Sequence, residues 1–126
     1  MINKVTIVGN LTGDPELKKL PNGTSVANIT VATNRTYKDK DGNKQDEAEF
    51  HRAVVFGKMA DNCTEYLIKG QQLAVIGRLR TRSWEDKQGN KRYMTEIIAE
   101  SVTFGRKPAE KVVENQEGEK NEGDTI

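Results

Sequence analysis

Four side chains of one short segment have the types and the spacing needed to bind a nucleic acid. In a β-strand every second side chain lies on the same face. A strand over residues 78 to 84 would therefore carry a row of cations that ends in an indole: Arg78, Arg80, Arg82 and Trp84. Guanidinium groups pair with phosphates through several N–H donors, and an exposed indole is a flat surface on which any base can stack. The segment indicates contact with single-stranded nucleic acid.

The same face has a second interpretation. Basic residues on a solvated strand near a sheet edge also discourage unwanted strand pairing, and such faces are common. The segment alone leaves both interpretations open.

A second candidate strand, residues 47–56, places Phe50, Arg52 and Phe56 on one face and His51 on the other. The two phenylalanines fit either a packed core or a stacking surface. Arg52 lies between them, and a charged group is almost never buried without a partner. We therefore expect this face to meet an anionic ligand or solvent.

Alternating apolar residues and turn residues predict strands over residues 2–11, 25–36, 47–56, 72–84 and 92–104. Between the third and fourth strands, apolar residues from Met59 to Leu67 recur at helical spacing, and Gly70 is the expected C-cap. This order predicts an all-β fold: a five-stranded barrel of the oligonucleotide/oligosaccharide-binding type (OB-fold), with one short α-helix between strands three and four. Other small α+β and barrel folds share the same element list.

The two predicted hairpin loops repeat one motif. Residues 37–44 and 84–91 both read aromatic-x-Asp-Lys-x-Gly-Asn-Lys. Asp, Gly and Asn are good turn formers, which explains the loops but not the paired aromatics Tyr37 and Trp84. Lysines toward the loop tips, Lys40, Lys87 and Lys91, are further candidates for phosphate contacts.

Charge is distributed unevenly along the 126 residues, a length that suits one domain. Residues 109–126 hold six acids and two lysines, a net charge of −4, and because the whole chain carries +1, residues 1–108 carry +5. A basic body with an acidic tail is typical of a nucleic-acid binder. We predict an OB-fold domain over residues 1–106 and a disordered acidic tail over residues 107–126.

The composition argues against catalysis. The chain has one His and one Cys, its acids are scattered, and neither a nucleophile-base pair nor a phosphate loop is present. We expect no enzyme activity, no metal and no cofactor. Cys63 is predicted to be a buried small hydrophobe. The N-terminus does not resemble a signal peptide and no apolar run approaches a membrane span, so we expect a soluble, cytoplasmic protein.

Several segments together resemble one known family, the bacterial-type single-stranded DNA-binding proteins. The resemblance covers roughly residues 1 to 104 and rests on the motifs Val8-Gly9-Asn10-Leu11, Val26-Ala27-Asn28-Ile29-Thr30-Val31-Ala32-Thr33, Phe50-His51-Arg52-Ala53-Val54-Val55-Phe56-Gly57-Lys58, Tyr66-Leu67-Ile68-Lys69-Gly70 and Gly77-Arg78-Leu79-Arg80-Thr81-Arg82-Ser83-Trp84. It implies an OB-fold protomer that assembles as a homotetramer and binds and protects single-stranded DNA, without sequence preference, in DNA replication, recombination or repair.

The resemblance also implies roles for individual residues. Stacking aromatics correspond to Tyr37, Phe50, Phe56 and Trp84, and basic contacts correspond to Lys4, Lys40, Arg52, Lys58, Lys69, Arg80 and Arg82. His51 corresponds to a position near a subunit contact. Arg78 is predicted from strand alternation only.

The last residues depart from the family pattern. Relatives that recruit replication and repair enzymes usually end with several acids and Ile-Pro-Phe, whereas this chain ends Gly-Asp-Thr-Ile. We therefore do not expect recruitment through the C-terminal tip. The fold also leaves open a different binding module, such as an RNA chaperone or a primosome accessory protein.

Overall fold

Six strands and one helix make up the computed structural model, which describes residues 1–108. The strands are β1 (Val5–Leu11), β2 (Glu16–Lys19), β3 (Ser25–Lys38), β4 (Lys44–Phe56), β5 (Gln72–Glu85) and β6 (Lys91–Phe104). Helix α1 (Lys58–Tyr66) lies between β4 and β5. Residues 109–126, most of the predicted acidic tail, lie outside the described residues.

Five of the strands close into a barrel in the order β1-β5-β6-β4-β3. The ring is completed where β1 pairs with β3, at Asn10↔Ala32 and Leu11↔Val31. The pairing of β4 with β6 is parallel, and the other pairings are antiparallel. The predicted five-stranded OB-fold barrel is confirmed, with its helix between the third and fourth barrel strands.

Strand β2 was not predicted. It lies between the first and second predicted strands and forms a hairpin with β3, from Glu16↔Asn28 to Lys19↔Ser25. Its four residues, Glu-Leu-Lys-Lys, are all exposed. Because neither face of this strand is buried, its sequence lacks the apolar alternation on which strand prediction depends.

Alternate side chains of the barrel strands fill the core. They include Leu11 from β1, Ala27, Ile29 and Val31 from β3, Ala53 and Val55 from β4, Leu73 and Val75 from β5, and Ile97 and Ala99 from β6. Ala60 and Cys63 of α1 join this cluster, followed by Leu67. Cys63 is fully buried in this cluster and so packs as a small hydrophobe, as predicted. The same burial raises the pKa of its thiol to about 11.

Two glycines allow neighbouring strands of the barrel to approach closely, Gly9 where β1 meets β3 and Gly77 where β5 meets β6. A Cβ atom on Gly9 would overlap the carbonyl oxygen of Ala32, and one on Gly77 would overlap that of Ile98. Gly77 also lies at the irregularity that shifts the β5–β6 register. A bulge and a missing side chain are the features with which a sheet bends into a barrel.

Helix α1 ends differently from the prediction. The expected C-cap at Gly70 is wrong, because Leu67 caps the helix in an extended conformation and donates its N–H to the carbonyl of Cys63. Leu67 is buried, so the chain leaves the helix directly toward the core. Gly70 adopts its positive φ of 89° in the following loop, where its N–H bonds to Leu11 O at 2.8 Å. Within residues 1–108 no helix has the length and apolar character to span a membrane.

Two long hairpins, β3–β4 and β5–β6, extend beyond the region where β4 and β6 pair. Strand β3 pairs with β4 without interruption from Val26↔Phe56 to Lys38↔Lys44, and β5 pairs with β6 as far as Glu85↔Lys91. Both hairpins reach further than predicted. Their outer residues are exposed on both faces, so these segments lack the apolar alternation from which strands are predicted. These extensions carry most of the predicted binding residues.

The loops of the two hairpins have the same geometry, which gives the sequence repeat a structural meaning. In each loop an aspartate oxygen accepts two backbone N–H groups at 2.9 Å, Asp39 from Asp41 and Asn43, and Asp86 from Gln88 and Asn90. Gly42 and Gly89 supply the positive φ, 80° and 83°. The hydrogen bonds to Asn43 and Asn90 are the largest of the effects that lower the pKa of the two aspartates.

Candidate nucleic-acid interface

The outer face of β5 carries the row of side chains found in the sequence. The register shift in β5 occurs between Ile76 and Gly77, so alternation is uninterrupted through the functional segment. The row faces four residues of β6, in the pairs Arg78↔Ile98, Arg80↔Glu96, Arg82↔Met94 and Trp84↔Arg92. The intervening Leu79 pairs with Ile97, which belongs to the core. Strand alternation therefore placed these four side chains on one face correctly.

Three arginines of this surface converge on the carboxylate of Glu96. Arg80 Nη2 is 2.7 Å and Arg82 Nε is 3.1 Å from Glu96 Oε2, and Arg52 Nε of β4 is 3.7 Å from Oε1. Glu96 is only 3% exposed, whereas the arginine side chains keep 41–44% exposure. The four residues form an arginine cluster with a net charge of +2 and a buried centre.

The pKa of Glu96 is set by two opposing effects. Burial raises it, because a charged carboxylate is poorly solvated away from water. The hydrogen bonds and positive charges of Arg80 and Arg82 lower it and prevail, so the pKa lies below its ordinary value of 4.5. Glu96 is therefore ionised at neutral pH and binds the arginines as an anion.

This pKa has a consequence for stability in acid. A carboxylate with a lowered folded-state pKa stabilises the fold above its unfolded-state pKa, and that stabilisation is lost as pH falls through the folded-state pKa. We expect the free energy of unfolding of the wild-type protein to fall more steeply below about pH 4.5 than that of Glu96→Gln. Denaturant unfolding from pH 6 to pH 2 measures both curves, and parallel curves would contradict the assignment.

Each hairpin holds its aromatic ring under an arginine. The Cζ atom of Arg82 lies 5.0 Å from the ring centroid of Trp84, and that of Arg35 lies 4.7 Å from Tyr37. Trp84 is 40% and Tyr37 is 38% exposed. Such cation–π contacts hold one face of a ring and leave the other face for a base.

Arg35 and Glu96 were not among the predicted site residues. Arg35 Nη1 is 3.1 Å from Glu47 Oε1, so an acid, an arginine and an aromatic recur in both hairpins. The sequence holds a signal for Arg35, because an arginine precedes the aromatic by two positions in both copies of the repeat. Extending the two aligned copies of the repeat by two residues toward the N-terminus would have identified Arg35.

The phenylalanines of β4 are on the surface, so their interpretation as core residues is wrong. Phe50 is 67% and Phe56 is 39% exposed. They alternate with Arg52 on the outer face of β4, whereas Ala53 and Val55 point into the core. Tyr37 lies on the opposite face of the β3–β4 hairpin, since it pairs with Gln45 while Phe50 pairs with Ala32. The four predicted stacking residues therefore do not share one face.

The predicted lysines are spread over the molecule. Lys40 and Lys87 lie in the two hairpin loops, and Lys91 begins β6 beside one of them. Lys58 begins α1 and Lys69 follows that helix, at the end of the barrel away from those loops. Lys4 precedes β1 and its Nζ lies 3.0 Å from Glu100 Oε1. The lysines could contact successive parts of a long ligand but cannot meet at one point.

A polar groove of about 310 Å³ lies next to the arginine cluster. Arg52 forms one side, and the unpredicted strand β2 contributes Glu16 and Lys18 to the other. Charges of both signs line the groove, which continues the polar surface from β4 to the edge of the sheet.

His51 has a partner within its own chain. Its Nε2 lies 2.8 Å from the hydroxyl of Thr33, and the ring is half-buried. Its predicted role at a subunit contact stays a prediction. Among residues 1–108, no group of three or more His, Cys, Asp or Glu side chains is arranged to hold a metal ion.

Comparison with known proteins matches this arrangement to one family. The model of the single-strand binding protein family matches residues 2–105. Single-stranded DNA-binding protein 1 of Xylella fastidiosa is 43% identical over 126 residues, which cover 99% of this chain and 90% of that protein. The protein of the same name from Chlorobaculum tepidum is 50% identical over 98 residues, 77% of this chain and 60% of that protein.

Comparison with solved structures points to the same family. The SSB of Plasmodium falciparum in complex with single-stranded DNA superposes with a TM-score of 0.78 at 30% identity, over 82% of this chain and 95% of that chain. The family consists of DNA-binding proteins without enzymatic activity, which confirms the expectation from composition. The chain belongs to the single-strand binding protein family.

Proposed function

We propose that this protein binds single-stranded DNA without sequence preference and protects it during DNA replication, recombination or repair. The main support is the outer face of the sheet formed by β4, β5 and β6, where three half-exposed arginines, Arg52, Arg80 and Arg82, lie near a half-exposed indole. Family membership and the DNA-bound relative from Plasmodium falciparum point to the same ligand.

The chemistry of the surface accounts for both parts of the proposal. Every base has a π-face, so stacking on aromatic side chains tolerates any sequence. Guanidinium and ammonium groups neutralise phosphates, which are the same at every nucleotide. A ligand whose bases are unpaired offers both features at once, whereas a duplex hides its base faces.

The proposed contacts fall into two classes. Stacking is assigned to Tyr37, Phe50, Phe56 and Trp84, and phosphate contacts to Lys4, Arg35, Lys40, Arg52, Lys58, Lys69, Arg78, Arg80, Arg82, Lys87 and Lys91. Because these residues lie on both faces of the β3–β4 hairpin and at both ends of the barrel, a DNA strand must wrap around the domain to meet them all.

The test is a comparison of affinities at one fixed salt concentration. Fluorescence anisotropy with a labelled oligonucleotide as single-stranded DNA, as duplex and as RNA of the same sequence separates the candidates. We expect single-stranded DNA to bind most tightly, and mixed sequences to bind within a few-fold of one another. Preference for RNA would support the RNA-chaperone interpretation instead, and preference for duplex would contradict both.

We also propose a homotetramer, with His51 near a subunit contact. A small barrel gains stability by covering sheet surface against other copies, and closed symmetry is the usual form of such assembly. Val8 on β1 is 52% exposed, which leaves apolar strand surface available for such contacts. Sedimentation equilibrium is expected to give about 56 kDa, four times the 14.1 kDa of the chain. A mass near that of one chain at micromolar concentration would contradict this.

The proposed ligand implies a location. We propose that the protein acts in the cytoplasm, in association with the nucleoid, where single-stranded DNA is exposed during replication.

A further inference from the structure

We propose that Glu96 is a positioning residue for DNA binding: its buried carboxylate fixes Arg52, Arg80 and Arg82 in one arrangement that faces the phosphates. The inference rests on the proposed binding of single-stranded DNA. It gives the negatively charged carboxylate of Glu96 a role at the centre of a surface that binds negatively charged phosphates.

The first support is the convergence of the arginines. Their guanidinium groups come from two strands, β4 and β5, and meet on a third, β6. Long arginine side chains have many rotamers, and ordering them on binding costs conformational entropy. With Glu96 as a common anchor, that ordering is complete before the DNA arrives.

The second support is what the anchored guanidinium groups leave free. Each guanidinium carries five N–H donors in a planar fork. Arg80 binds Glu96 through Nη2, and Arg82 binds it through Nε while its Nη2 donates to Met94 Sδ at 3.6 Å. The two side chains are still 42% and 44% exposed, so each guanidinium keeps N–H donors that a phosphate can reach. The carboxylate thus orients the cations without using up their capacity to bind phosphate.

The third support is the connection to Trp84. Arg82 contacts Glu96 on one side and lies 5.0 Å from the indole centroid on the other. A change at Glu96 therefore reaches the stacking ring through Arg82. This chain of contacts links the phosphate-binding and base-stacking parts of the surface.

The charge of the cluster has a measurable effect. Glu96 cancels one of three positive charges, so the cluster should count as about two neutralised phosphates in the salt dependence of binding. Without the charge of Glu96, the three arginines would count as about three neutralised phosphates. Each side chain would then be ordered only when the DNA binds, which costs affinity.

The decisive variant is Glu96→Gln, which has nearly the same shape and no charge. Binding of a poly-dT oligonucleotide is measured as a function of salt. We expect the slope of log K against log salt to become steeper by about 0.7, and the affinity extrapolated to 1 M salt to fall by roughly tenfold. An unchanged slope together with an unchanged extrapolated affinity overturns the proposal and leaves Glu96 a purely structural residue.

A second variant separates charge from position. Glu96→Asp keeps the negative charge but withdraws it by one methylene, away from the arginines. We expect the wild-type slope with a reduced affinity at 1 M salt. Wild-type values for both quantities would show that the position of the carboxylate is irrelevant, and this result stands even if Glu96→Gln fails to fold.

Glu65→Gln is the matched control, because it removes the same charge from an exposed position on α1. It is expected to leave slope and extrapolated affinity unchanged. The control and the wild type also separate this inference from the proposed function. If the wild-type protein does not bind the oligonucleotide, the proposed function fails; if it binds and both Glu96 variants match it, only the inference fails.

Discussion

Replacing Trp84 with alanine is expected to weaken binding of single-stranded DNA by about 1–3 kcal/mol, with little dependence on base sequence. The ring is held on one side by Arg82 and is 40% exposed, so a base can stack against its free face. Titration of wild-type and variant protein with oligonucleotides of different composition measures the loss.

Trp84 is also the only tryptophan of the chain, so its fluorescence reports this contact directly. Single-stranded DNA is expected to quench it, because stacking brings nucleobases against the indole. The matched control is Tyr93→Ala. Tyr93 is 65% exposed on the same hairpin, but it pairs with Ser83 and so lies on the opposite face. Unchanged emission at saturating DNA, or an equal loss of affinity in both variants, would contradict the stacking role.

Salt is expected to have the other large effect. Each phosphate neutralised on a single strand contributes about −0.7 to the slope of log K against log salt, so a tenfold rise in salt costs about fivefold in affinity per phosphate. The arginine cluster alone should then account for roughly a 25-fold loss, because it counts as about two phosphates.

Arg80→Ala or Arg82→Ala is expected to flatten this slope by up to one phosphate's worth, about 0.7. Trp84→Ala is the comparison, since it should reduce affinity and leave the slope nearly intact. Equal changes of slope in the arginine and tryptophan variants would show that charge and stacking are not separate roles. Removal of Arg82 is also expected to affect Trp84 emission, because its guanidinium lies on the ring.

The barrel was predictable because its strands bury one face. Residues such as Ala53, Val55, Leu73 and Val75 recur with a period of two, and that period is the direct consequence of a covered sheet. Strand β2 and the outer halves of the hairpins are exposed on both faces, so no such period exists there. Their extent depends on backbone pairing, which leaves little trace in side-chain type.

The part of the site that lies on a single hairpin was predictable from the sequence, and the contact between β4 and β6 was not. Alternation along β5 was enough to place three arginines and Trp84 on one face. Glu96 could have been found by counting outward from the loop, since Trp84↔Arg92 fixes the register that brings Glu96 opposite Arg80. Arg52 was predicted as a basic contact, but its approach to Glu96 could not be, because it follows from the parallel contact of β4 with β6, whose register no turn or repeat in the sequence indicates.

Burial of Cys63 makes the protein convenient for site-specific labelling. Its thiol is fully covered and has a pKa near 11, so almost none of it is the reactive thiolate at neutral pH. A cysteine introduced at Lys40 or Lys87, in the two hairpin loops, would therefore react with a maleimide dye far faster than the native one. A pair of dyes at these positions would report on whether the two hairpins move relative to each other when single-stranded DNA binds.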